Sequence, residues 1–166
     1  MFEEVAMKRR IAAVVTIFAL SSGIAWAVQT AKDPWVGTWK VDMAKSTFKP
    51  GPAPAVAGTI TIEPSGGSMK TTIHGSDPEG KPMHTETVWT FDGKDHPVKG
   101  APVPDATAAY KRIDERTFEV SSKAGGKPFM TTRVTVSADG KTMTATQTGQ
   151  NPQGQNVSNT IVAHKQ

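Results

Sequence analysis

The 166-residue chain has no cysteine. Disulfides, metal–thiolate centres, thiol nucleophiles and lipid attachment at an N-terminal cysteine are therefore excluded. Aromatic residues are scarce at 7%, with a single tyrosine. No block of five like charges occurs, and the formal net charge is only +4. The basic stripe that nucleic-acid binding wants is missing. No apolar run reaches the ~20 residues a spanning helix needs. No helical period is visible after residue 43, which excludes a coiled coil. The G-x-S-x-G, P-loop, H-E-x-x-H and G-x-G-x-x-G motifs are absent, and with them the chemistries they carry. Glu63, Glu86 and Glu119 stand apart, with no sign of a catalytic carboxylate pair. The expectation is a protein that is not an enzyme and needs no cofactor.

What is present begins with an address. Lys8-Arg9-Arg10 precedes the apolar run Ile11–Leu20, and Ala25-Trp26-Ala27 follows as an A-x-A cleavage signature. This is the form of a secretory signal peptide over residues 1–27. Met7 is an alternative start to Met1, because Glu3 and Glu4 are odd in a basic leader. The expected destination is periplasmic or extracellular. No integral membrane segment would remain after cleavage, and residues 28–166 would form one domain.

That domain is rich in threonine, with 20 of the chain's 21 after residue 27. Threonine favours strands over helices. Glycine turns recur at intervals of 13–14 residues, among them Asp92-Gly93-Lys94, Gly125-Gly126-Lys127 and Asp139-Gly140-Lys141. Each interval holds one strand and one tight connection, and Asp-Gly between alternating segments is a strong hairpin signal. Strands are expected near 36–42, 58–63, 68–74, 83–91, 95–99, 106–112, 117–123, 128–137, 141–149 and 156–164.

Register follows from parity. A two-residue Asp139-Gly140 loop sets Val136 opposite Met143 and Val134 opposite Ala145, with Thr135–Thr144 and Arg133–Thr146 on the other face. A three-residue loop Ala124–Gly126 would set Val120 opposite Met130 and Phe118 opposite Thr132. Ile73 would face Thr85, and Met69 would face Trp89. A one-residue slip breaks each match. The fold class is therefore all-β: an antiparallel up-and-down meander of 8–10 strands, closed into a barrel to remove its edges. A two-sheet sandwich is the alternative. Much of the threonine falls on the outer ladder. The apolar inner face is then thin for a barrel of this size, which hints at a cavity.

Near the start of the domain stands Trp35-Val-Gly37-Thr-Trp39-Lys-Val-Asp42. A Gly-x-Trp on the first strand of a secreted β-meander resembles the lipocalin (calycin) superfamily. More narrowly, the chain resembles small secreted bacterial proteins with a lipocalin-like domain. Gly37-Thr-Trp-Lys-Val-Asp-Met-Ala-Lys-Ser46, Tyr110-Lys-Arg-Ile-Asp114 and Asp139-Gly-Lys-Thr-Met-Thr144 carry the match. The resemblance implies a lipocalin-like barrel that binds a small apolar ligand without catalysis, with Gly37 and Trp39 closing one end. The cysteine pair of many lipocalins is absent, and no segment corresponds to the paired lid helices of intracellular fatty-acid binders.

The expected pocket residues are Trp89, Phe91, Tyr110, Arg112, Phe118, Met130 and Met143. Core filling is an equal reading for the aromatics. A three-residue loop Asp114–Arg116 points Tyr110 and Arg112 inward, where the guanidinium could hold a ligand carboxylate. A two-residue loop would turn both outward. His74 and His84 face each other with Asp77 and Glu86 nearby, a donor set that could take zinc or copper. Parity places both on the outer face as a solvated pair, so no metal is assigned. His96, across a two-residue loop from Trp89, would touch the cavity.

The reading is a monomeric, exported, lipocalin-like protein whose partner is a small apolar molecule or lipid. The alternative is a filled barrel serving as a structural or protein-interaction module. A weak metal binder through surface histidines is the third reading.

Overall fold

The computed structural model describes residues 33–51, 56–77, 79–151 and 154–166. The expected leader, 1–27, lies outside the described residues. Ten strands follow one another: β1 (Gly37–Thr47), β2 (Val56–Ser65), β3 (Ser68–Ser76), β4 (Pro82–Trp89), β5 (Asp95–Pro97), β6 (Ala106–Arg112), β7 (Thr117–Ala124), β8 (Lys127–Val136), β9 (Thr142–Gln150) and β10 (Asn156–Lys165). The described residues contain no helix, and so none long and apolar enough to cross a membrane.

All ladders are antiparallel, in the order β4-β3-β2-β1-β10-β9-β8-β7-β6-β5. The first and last strands pair, with Trp39 opposite Lys165 and Val41 opposite Ala163. The two edges, β4 and β5, are consecutive in the chain. They meet at one bridge, where Glu86 N–H donates to Lys99 O at 3.0 Å and Lys99 N–H to Glu86 O at 2.8 Å. Beside it, Thr87 Oγ1 donates to Pro97 O at 3.1 Å. Proline has no N–H to extend the ladder, and β5 is only three residues long. The result is a nearly closed, all-β, up-and-down barrel.

The turn chemistry sets the register. At the β8–β9 turn, Gly140 takes φ +70°, where only glycine is unstrained. Asp139 Oδ1 accepts from Ser137 Oγ and from Lys141 N–H. Val136 then faces Met143, Val134 faces Ala145, Thr135 faces Thr144 and Arg133 faces Thr146. Ile73 faces Thr85, and Met69 faces Trp89. Tyr110 faces Val120, and Arg112 faces Phe118.

The expected β7–β8 pairing differs. Gly125 and Gly126, both at positive φ, make a two-residue turn with Ala124 opposite Lys127. A bulge at Phe129 on β8 then shifts the ladder between the Lys123–Pro128 and Ser122–Met130 pairs, so Phe118 faces Val134 and Val120 faces Thr132. The register moves by two positions, so every side chain keeps its face. His96 faces Ala108 across the β5–β6 ladder. Across the β4–β5 seam the Glu86–Lys99 bridge carries the same register as the expected Trp89–His96 pair, and in the turn between the strands Asp92 Oδ1 accepts from Lys94 N–H at 3.0 Å.

Candidate ligand site in the barrel

The inner face of the barrel divides into a sealed floor at one end and a less buried upper part, the lumen face. The floor lies at the end where β1 starts and β10 finishes. Trp35, Trp39 and Trp89 are all at most 1% exposed. Trp39 Nε1 donates to the Trp35 carbonyl at 2.8 Å. The Trp35 ring meets Phe91 and Phe118 edge-on, with centroids 5.5 and 5.2 Å apart. Trp89 stacks on Tyr110 at 4.0 Å and 7°, and its Nε1 donates to Thr71 Oγ1 at 2.8 Å. Ile62, Val136, Met143 and Ala163 complete the seal. Such aromatic contacts add about 0.5–1.5 kcal/mol each beyond the area they bury.

Cations cover the floor. The Arg112 guanidinium lies 4.7 Å from the centroids of both Trp35 and Phe91. It pairs with Asp33 at 2.7 Å and is 41% exposed. Lys165 Nζ sits 4.9 Å from the Trp39 ring. Ring faces attract cations, and long side chains cover apolar surface while keeping their charge in water.

Above the floor the barrel wall changes character. The inner positions run through Ile73 and Thr85, opposite each other. They continue through Ser122–Met130 and Val120–Thr132, Thr132–Gln147, and Gln147–Asn159 with Ala145–Ile161. Most are half-buried, in contrast to the sealed floor. Their polar groups are hydroxyls and amides, with no charge among them. Asn159 is the buried exception at 2% exposure. Its Nδ2 donates to Gln147 Oε1, and its Oδ1 accepts from Lys49 N–H, both at 3.2 Å.

Most of the seven expected pocket residues gather at the floor. Trp89, Tyr110, Phe118 and Met143 are buried in its cluster, and Phe91 packs against them. Met130 alone stands higher, half-buried on the lumen wall. Arg112 and Tyr110 engage different partners. Arg112 covers the floor, while the Tyr110 hydroxyl meets Thr87, and burial pushes the Tyr110 phenol well above its ordinary range. Gly37 and Trp39 stand where the chain enters the floor. Trp35 is fully buried beside them. His96 Nε2 is 2.9 Å from Asp92 Oδ1 and its ring touches Tyr110 edge-on at 6.4 Å. The Lys94 backbone N–H and His96 together hold Asp92 down to about 2. His74 and His84 lie on the outer face.

Sequence reading missed the polar lumen band of Ser122, Thr132, Gln147 and Asn159. The signal was available for part of it. Extending the Val134–Ala145 register by two residues pairs Thr132 with Gln147. Asn159 required the β9–β10 ladder, whose connecting turn gives no register of its own.

The chain matches no protein-family model and no curated protein.

Proposed function

We propose that this chain is an exported, lipocalin-like binding protein that carries one small, largely apolar, uncharged molecule in its barrel. The carrying observation is the change in burial along the inner face. The floor is sealed, whereas the inner positions above it are half-open to solvent on strands right around the barrel. Half-exposure on so many inner positions is what an unfilled interior gives, since close-packed interiors leave few voids. Ile73, Val120, Met130 and Ile161 offer apolar area at about 25 cal/mol per Å² buried. Ser122, Thr132 and Gln147 offer hydrogen bonds that set orientation.

The absence of charge on the lumen wall selects against carboxylates, which would lose hydration without an ionic partner. Export rests on the basic, apolar and A-x-A pattern of residues 1–27. The resemblance carried by Gly37-x-Trp39 agrees with this assignment.

Native mass spectrometry after exposure to a lipid extract tests the proposal. The expected result is one neutral adduct per chain, displaced by a neutral apolar competitor more readily than by the matching carboxylate. No adduct at any extract concentration would overturn it.

A further inference from the structure

The strongest unexplained geometry lies outside the barrel. His74 on β3 and His84 on β4 are directly opposite in the antiparallel ladder, where cross-strand side chains meet. Their Nδ1 atoms are 3.3 Å apart. Their ring centroids are 4.5 Å apart and their planes tilt by 43°. Both side chains are exposed, so burial does not force the contact.

The separation has a chemical meaning. Zinc–imidazole bonds are about 2.05 Å long, and at a tetrahedral angle two of them hold their nitrogens about 3.3–3.4 Å apart. At the right angle of a square-planar ion the same bonds give about 2.9 Å. The observed distance is that of the tetrahedral ion. A bare N–H···N hydrogen bond at 3.3 Å would be long by comparison.

We propose that His74 and His84 hold a zinc ion through their Nδ1 atoms. Among the described residues, no third His, Cys, Asp or Glu completes a cluster. Glu86, two residues along on the same face, is held by Lys70 at 2.9 Å. Water or a small anion therefore takes the remaining positions, and the ion exchanges freely, as it does in open sites rather than in closed structural ones. The other two histidines are already engaged, His96 by Asp92 and His164 by Asp42. The proposal does not depend on the lumen being a ligand site.

Calorimetry with zinc on tag-free, chelator-treated protein tests it. The expected result is saturable binding of one ion per chain. Affinity should fall by roughly tenfold or more in both His74→Gln and His84→Gln, since each removes one of two ligands. It should be unchanged in His164→Gln. Zinc should also raise the Tm of the parent but not of the His74 and His84 variants, which separates lost ligation from lost folding. No saturable binding by the parent would overturn the proposal. So would equal affinity in the parent and the His84→Gln variant.

Discussion

Tyr110 is the chain's only tyrosine, and it is buried against Trp89. Desolvation raises its phenol, so the folded state resists ionisation. Its stability contribution is full below the ordinary phenol value of 10.0 and is lost as pH rises beyond it. Phenolate absorbance should therefore appear only with alkaline unfolding, and Tyr110→Phe should make the fold less sensitive to high pH. Phenolate formation in the folded protein would contradict this. Asp92 has the opposite sign. Its carboxyl falls from 3.8 to about 2 on folding. The stability it confers is present above 3.8 and is lost as pH falls toward 2. Asp92→Asn should flatten the acid limb of stability in that window, measured by urea midpoints. Arg112→Ala should cost about 1 kcal/mol, the sum expected of exposed cation–π and ion-pair contacts. It should leave ligand affinity unchanged, because Arg112 covers the floor rather than lining the lumen.

Among the elements, the β4–β5 seam is the weakest join, and Gly100 guards it. Gly100 has φ +70°, and a Cβ there would run into the His84 carbonyl. Gly93 has nearly the same φ, +69°, with open space around it. Gly93→Ala should cost about 1 kcal/mol for backbone strain alone. Gly100→Ala should cost distinctly more, because backbone must move. Denaturant midpoints of the two variants separate strain from collision. Equal costs would mean that the seam yields easily.

All ten strands were legible in the sequence because glycine turns bracket them and period-two patterning fills them. The Asp139-Gly140 and Pro78–Gly80 hairpins could be registered residue by residue. The β7–β8 pairing could not, because a bulge leaves no mark in composition. The seam was legible in register, since the expected Trp89–His96 pair and the Glu86–Lys99 bridge share it. In the site, parity gave the inward direction of Trp89, Tyr110 and Phe118. It could not give height along the barrel axis. Height decides whether an inward aromatic belongs to the floor or to the lumen.

At the scale of the whole molecule, one inner surface has two characters. Scarce aromatics are concentrated at one end as a plug, and small polar and aliphatic residues line the other. The threonine excess divides likewise, with Thr135, Thr144 and Thr146 on the outer ladder and Thr85 and Thr132 on the lumen wall. The central claim is that this lumen takes up a neutral apolar molecule. Titration of a neutral fluorescent apolar probe into the parent, Thr132→Trp and Thr131→Trp tests it directly, with each variant's Tm checked first. Thr132 faces inward beside Val120 and Gln147, while Thr131 is exposed on the outer face. The expected result is saturable one-to-one binding by the parent and Thr131→Trp, and its loss in folded Thr132→Trp. Absence of saturable binding by the parent, or equal binding by all three, would contradict the claim and leave a filled barrel serving as a structural or interaction module.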